Sequence, residues 1–416
     1  MLSRCYRSSR WPLAPNRKWR GSAMPRTAIV SSVRTPFGKL GGALSSLRAT
    51  DLGGHAISAA IDRSGVRADD VEHVVMGQVL QAGEGQIPSR QAQIKGGITR
   101  DVSSETVNKV CASGLRAVAL VDQAIRAEDL KVAVAGGMES MSSAPYLLNG
   151  ARFGYRMGDA PALDGMVQDG LRNPFTGREM VDEASDVASE LELTRPDMDR
   201  FALRSHELAI QATDEGRLPE EIVPVRVESK RGDMTVEVDE SPRRDTSLEK
   251  LASLKPVREG GSHTAGNGPG VNDGAGALVL ASDEWAKRES HDILARIIGH
   301  AQVADDFAYL ARTPANATKK ALERAGITID DVDLFEINEA FASVALNSIR
   351  ALGVDESKVN VNGGAIALGH PLGASGARIL GALVHELRRR GGGLGVAAIC
   401  SGGGQGDAMI VEVNGR

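Results

Sequence analysis

Aromatic residues make up only 3% of this 416-residue chain, too few to suggest a surface for stacking bases. Cysteine occurs three times. An odd number argues against a disulfide framework and suits a reducing compartment. Neither Cys-x-x-Cys nor His-x-x-x-His spacing occurs, so no metal site is expected. No apolar run approaches the roughly 18 residues that cross a bilayer, so no membrane span is expected. A net charge of −5 gives no general attraction to nucleic acid. Acidic residues are missing altogether before Asp51, while Arg4, Arg7, Arg10, Arg17, Lys18 and Arg20 are basic. Residues 1–23 therefore read either as a transit peptide to the mitochondrial matrix or as an extension upstream of a cytoplasmic start at Met24. Trp11-Pro12 and Pro15 break helical amphipathicity and weigh toward the second.

The chain is rich in glycine, with 48 residues, and has 42% hydrophobic and 25% charged residues. That balance is ordinary for a globular enzyme of two to three domains. From Met24 onward strands alternate with helices: strands at 28–32, 71–76 and 131–135, and helices at 52–64 and 86–96. This predicts an α/β fold. The second half repeats the first. Ala60-Ile61-Asp62-Arg63-Ser64-Gly65 resembles Ala321-Leu322-Glu323-Arg324-Ala325-Gly326. Asp69-Asp70-Val71 resembles Asp330-Asp331-Val332, and Ala112-Ser113-Gly114-Leu115-Arg116 resembles Ala374-Ser375-Gly376-Ala377-Arg378. The matches keep one order at a nearly constant offset of about 260 residues, which predicts two similar halves. The expected division is 24–142 plus 265–290 for the first half and 291–416 for the second. An inserted loop domain, 143–264, would lie between them, with helices at 181–191 and 196–215 and a hairpin formed by 221–228 and 234–239.

Cys111 enters a helix whose residues Leu115, Val118, Leu120, Val121 and Ile125 are apolar nearly all round, the mark of a buried helix. A thiol at such a helix start is expected to ionise more readily than a free one. Taken alone, Cys111 is as well read as a small core hydrophobe. Two other stretches change the balance. One is Gly363–Gly373 with His370, leading into the second buried helix. The other is Cys400-Ser401-Gly402-Gly403-Gly404-Gln405-Gly406. Duplication puts Cys111 and the His370 loop at equivalent points, so they should face each other. The glycine runs lack the Gly-Lys-Ser/Thr ending of a phosphate loop and the dinucleotide fingerprint.

Together with Gly136-Gly137-Met138-Glu139-Ser140-Met141-Ser142 and Asn338-Glu339-Ala340-Phe341-Ala342, these stretches resemble the thiolases, the acetyl-CoA acetyltransferase and 3-ketoacyl-CoA thiolase group. The resemblance runs from Met24 to Val413. It implies a duplicated α/β/α/β/α layered fold, and acyl-CoA as substrate in a homotetramer or homodimer. Coenzyme A is then substrate and product, with no resident cofactor. It implies a Cys111 acyl-enzyme, with His370 taking the Cys111 proton and pairing with the thiolate, and Cys400 as the base that removes a proton from the second acetyl-CoA. His370 with a water on Asn338 would form one oxyanion hole; the N–H groups of Cys111 and Gly402 would form the other. Arg243, Ala265, Gly268 and Phe341 would line the coenzyme A path. Glu179 stands where many relatives have His, and Pro269 where they have Ser, so acyl-chain length stays open between acetoacetyl-CoA and longer 3-ketoacyl-CoAs. Cys400 speaks against the ketoacyl synthases, which carry His there. The intact set speaks against a non-catalytic acyl-CoA binding protein.

Overall fold

The structure, a computed structural model, describes residues 26–228 and 232–415. The basic leader and Cys5 lie outside them. Nine strands form the path of the main sheet: β1 (Thr27–Arg34), β2 (His73–Gly77), β3 (Ser103–Val107), β4 (Val132–Ser140), β5 (Asn272–Ser282), β6 (Ala295–Ala304), β7 (Leu334–Ile337), β8 (Gly393–Ser401) and β9 (Gln405–Val413). A two-residue strand, Gly38–Lys39, pairs with β5. Their order is β7-β8-β9-β6-β1-β5-β4-β2-β3. Read outward from the β6–β1 junction, both sides repeat one pattern. Antiparallel partners follow (β9 and β8; β5 and β4), then a parallel one (β7; β2). The halves meet along only three residue pairs, Thr27–Ile297, Ala28–Arg296 and Ile29–Ala295.

Eight helices matter for the site: α1 (Ala49–Ser64), α2 (Pro88–Lys95), α3 (Ser113–Arg126), α4 (Met180–Glu190), α5 (Arg195–Asp214), α6 (Thr313–Ala325), α7 (Ala342–Leu352) and α8 (Leu372–Arg389). Helices α1 and α2 cover the first half-sheet from outside, and α6, with α7 packed against it, the second. Between the half-sheets lie α3 and α8, which touch each other and strands from both halves. The layered, duplicated architecture expected from the repeat is therefore present. One apolar core, with Leu115, Val118, Ile379, Leu380 and Leu383 among its members, surrounds the central pair. Fifteen residues of α8 are buried, so that helix has no solvent face.

The two central helices cross where both carry glycine. A Cβ on Gly114 would lie 2.9 Å from the Ala377 nitrogen, and a Cβ on Gly376 would lie 2.2 Å from the Leu115 nitrogen. The contact is reciprocal between positions the repeat had matched, as a local twofold requires.

Several boundaries differ from the sequence expectation. Helix α1 begins three residues early because Asp51 accepts the Arg48 N–H at 3.0 Å, closing its first turn. Strand β4 runs on through Gly136-Gly137 to Ser140. A Cβ at Gly137 would lie 1.8 Å from the Gly373 carbonyl oxygen, so those glycines are close-contact positions and not a turn. The run after Cys400 is a hairpin: β8 extends to Ser401, Gly403 and Gly404 turn at φ 75 and 69, and β9 begins at Gln405. Only Gly can take such φ values freely. Edge strand β3 was missed, since Ser103-Ser104-Glu105-Thr106-Val107 has no apolar pattern.

Residues 143–264 lie against the second half. Met198, Phe201 and Ala202 of α5 pack with Ala342, Ala345 and Leu346 of α7. The strands Val225–Val227 and Met234–Val236 form the expected hairpin. Its surroundings are tied to β1 by Arg34, which pairs with Glu221 at 2.7 Å and with Asp239 at 2.6 Å, all three side chains buried.

Candidate active site

Cys111 lies two residues before α3, in a tight turn. Val110 just ahead of it is left-handed (φ 43), a costly conformation for a β-branched residue, about 1–3 kcal/mol. Side chains hold it there. The Asn108 Oδ1 accepts the Val110 N–H at 3.0 Å, and the Ser113 hydroxyl donates to the Val110 carbonyl at 2.6 Å. The same hydroxyl accepts the Lys109 N–H at 2.8 Å, and Ser401, next to Cys400, donates to the Lys109 carbonyl. The turn that presents the first thiol is thus fastened to the strand that carries the second.

The expectation of a readily ionised Cys111 is overturned. Burial pushes its thiol up to about 12; the N–H groups of Cys111 and Gly402 oppose this, and the Glu139 charge adds to it. Removal from water costs the thiolate more than the helix start returns, because α3 begins only at Ser113. Cys400 lies on β8, fully buried among Met180, Ala311, Ala340 and Val344. Its thiol is held well above the ordinary value by burial and then by the charge on Cys111, which puts the two sulfur atoms within electrostatic reach of each other.

His370 precedes α8. Its N–H donates to Asn272 Oδ1 at 3.0 Å. The Ser375 hydroxyl donates to the Pro371 carbonyl at 2.8 Å, so its oxygen is left to accept from His370 Nδ1 at 2.6 Å. This network assigns the proton to Nδ1 and leaves a lone pair on Nε2. The Asn338 amide lies 3.4 Å from that Nε2. Burial, followed by the Arg378 charge, lowers the imidazole to about 3. Burial thus disfavours charge on His370 as it does on Cys111. Asn338 hangs from the Ala398 carbonyl at 2.9 Å, two residues before Cys400, and its buried Oδ1 has no partner among the described residues. A Cβ on Gly114 would come within 2.7 Å of the Gly373 oxygen. Cys111 and His370 stand three positions ahead of those two glycines, so the helix crossing brings both turns to the same end of the central layer.

Gly402 lies against Val110; a Cβ there would be 3.2 Å from Val110 Cγ1. Beside them opens a cavity of about 430 Å³, lined by Val79, Asn108, Val110, Arg172, Met180 and Gly402 among others. Of the residues expected along the coenzyme A path, Gly268 and Phe341 are neighbours, 3.5 Å from a Cβ at Gly268 to the ring. Ala265 is exposed on the same turn. Arg243 is exposed on a separate loop, where its N–H donates to His206 at 3.2 Å. Ser375, Asn272 and Glu139 carry roles that the sequence reading missed. Glu139 alone had a visible signal, an acid directly after the apolar run 132–138. Among the described residues, no group of three His, Cys, Asp or Glu side chains is arranged to hold a metal.

Two like halves, one central helix from each, a thiol and an imidazole ahead of the helix starts and a second thiol on β8 define a duplicated α/β protein with a cysteine-based centre. Residues 27–284 match the family described as thiolase, N-terminal domain, and residues 291–413 match thiolase, C-terminal domain. The chain belongs to the thiolase family. It is 48% identical to a probable acetyl-CoA acetyltransferase of Mycolicibacterium smegmatis, over 92% of this chain and 100% of that one. It is 47% identical to an acetyl-CoA acetyltransferase of Cupriavidus necator, over 94% and 100%. The crystal structure of the Bacillus anthracis acetyl-CoA acetyltransferase superposes with a TM-score of 0.92 at 39% identity, covering 94% of this chain and 100% of that one.

Proposed function

We propose that this chain is an acetyl-CoA C-acetyltransferase, which condenses two acetyl-CoA into acetoacetyl-CoA and coenzyme A and runs the reverse thiolysis. The observation that carries the reading is two buried free thiols, Cys111 in the turn before α3 and Cys400 on β8, together with a histidine whose Nδ1 carries the proton and whose Nε2 keeps its lone pair. The Cys111 sulfur attacks the acetyl thioester while its proton passes to His370 Nε2. The leaving coenzyme A sulfur takes the Cys400 proton, which leaves Cys400 as a thiolate. That thiolate removes a methyl proton from the second acetyl-CoA. The carbanion attacks the Cys111 thioester, and Cys111 departs and recovers its proton from His370. In this scheme Asn338 Oδ1 holds a water that, with His370, binds the enolate oxygen, and the Cys111 and Gly402 N–H groups serve the tetrahedral oxyanion. One such donor is worth about 2.7–4 kcal/mol.

Intact-protein mass spectrometry after mixing with acetyl-CoA tests this. The wild type should gain one acetyl group and Cys111→Ala none. Cys400→Ala should gain the acetyl group yet make no acetoacetyl-CoA; condensation by that variant would remove Cys400 from the scheme. The 430 Å³ cavity beside Gly402, walled in part by Val79, Val110 and Met180, favours a second reading, a thiolase for longer 3-ketoacyl-CoAs. A chain-length series of kcat/KM with a maximum beyond four carbons selects it.

The assembly we propose is a homodimer or homotetramer. The exposed Tyr146, Leu148, Phe153 and Met157, together with the edge strand β3, support it, and light scattering decides it. No helix among the described residues is long and apolar enough to cross a membrane. The proposed location is the cytoplasm, or the mitochondrial matrix if the leader is a transit peptide. No resident cofactor is proposed, coenzyme A being substrate and product.

A further inference from the structure

We infer that Glu139 is a positioning residue for this reaction: its carboxylate ties the turn after β2 to the first turn of α8 and sets a negative charge beside Cys111. The inference rests on the reading above. Glu139 is wholly buried near the end of β4. Its oxygens accept the N–H of Val79 at 3.1 Å, of Leu80 at 3.0 Å and of Gly373 at 2.8 Å. Val79 and Leu80 share an apolar cluster with Cys111, and Val79 also walls the cavity. Gly373 follows His370 by three residues. One carboxylate therefore fixes a wall of the acyl site and the helix start behind the imidazole, across the boundary between the two halves.

No cation pairs with Glu139 among the described residues. Three amide donors are its compensation, as an anion at a helix start would take. Burial still raises it to about 7 against those amides, with the Glu84 charge adding to the rise. The groups that bear on Cys111 are the Cys111 and Gly402 amides, Glu139 and Cys400. Of these, Glu139 opposes thiolate formation without taking part in any proton transfer. Its charge adds to the burial that already favours the thiol form of the nucleophile.

Two variants separate charge from tether. Glu139→Gln keeps the shape and removes the charge. Glu139→Asp keeps the charge and is one methylene too short to reach both segments. Iodoacetamide labelling of Cys111, followed by peptide mass spectrometry from pH 6 to 10, should be faster in Glu139→Gln by about threefold to tenfold above pH 7, where Glu139 is ionised, equivalent to about half to one unit in thiol pKa, and should converge with the wild type toward pH 6. Glu139→Asp should label like the wild type but condense about tenfold more slowly at unchanged acetyl-CoA KM, as expected when reacting groups are displaced. Equal labelling of Glu139→Gln and wild type overturns the charge role, and full turnover by Glu139→Asp overturns the tether. A purely structural glutamate would not raise thiol reactivity on neutralisation. If one variant does not fold, the other still reads its own arm. Failure of the wild type to take an acetyl group would instead strike the proposed function.

Discussion

At the level of single residues, burial favours the neutral forms of Cys111, Cys400 and His370, and in the proposed scheme their protons move only when substrate arrives. Ser375 is the clearest support. Its hydroxyl is committed as donor to Pro371, so it can only accept from His370. Ser113 is its counterpart in the first half, bracing the Cys111 turn by the same kind of bond. Ser375→Ala should leave acetyl-CoA KM close to wild type and lower kcat by about 10²-fold, the lower range of what a positioned acid–base group contributes. Ser375→Thr should restore most of it. The ¹⁵N shifts of His370 give the direct check: loss of the hydroxyl should let the proton move to Nε2, and an unaltered tautomer would refute the assignment. The identities of Cys111, His370 and Cys400 were legible because each sits in a short stretch with few other uses. Their ionisation was not. Helix position is written locally, whereas burial depends on the neighbours, and at Cys111 burial prevails. The Ser375 and Asn272 contacts were hidden for the same reason, since a serine in an apolar helix reads as filler.

At the level of elements, two features decide how far the catalytic turns can move. One is the crossing of α3 and α8. Gly376→Ala would gain up to about 1 kcal/mol in helix propensity. Its Cβ, however, would lie 2.2 Å from the Leu115 nitrogen and 3.0 Å from the Gly114 carbonyl carbon. Backbone cannot step aside, so overpacking wins and a net loss of about 1–3 kcal/mol is expected in urea unfolding. Turnover should fall as well, because the His370 and Cys111 turns ride on these helices. The other feature is His263, which joins α4 to α7 through Ser185 at 3.1 Å and Ser343 at 2.9 Å and sets its ring edge-on to Phe341 at 5.0 Å. Burial, then the Arg195 charge, lowers it to about 4 from 6.5. Its folded value is below its unfolded value, so its contribution to stability is full above pH 6.5 and is lost as pH falls toward 4. On acidification from pH 7.5 to 5, the wild type should lose more stability than His263→Gln, by at most about 1.4 kcal/mol per pH unit. Parallel loss in both proteins would exclude the histidine as the cause. The long helices and the Gly-ended α1 could be read from periodicity. The edge strand β3 could not, because its neighbours and not its own pattern make it a strand.

For the whole molecule, the repeat was the most informative line of the sequence, since it predicted the architecture and placed the site at its axis. What it could not show is how narrow the direct join is. Only three residue pairs join the half-sheets directly; α3 and α8 carry much of the further attachment, and the Arg34 cluster with Glu221 and Asp239 fastens the inserted region to β1. That cluster carries two acids on one cation, all out of water, an arrangement that is costly to break and specific in register.

The reciprocal glycine crossing carries a consequence for the polypeptide as a material. Each half presents an oily rod cut to receive its twin, so neither has a finished interior alone. Cleaved between Glu289 and His291, the two pieces should aggregate when made separately. Co-expressed, they should complement each other and recover acetoacetyl-CoA formation. Continuity of the chain is then a convenience of synthesis, and the true unit of folding is the mated pair.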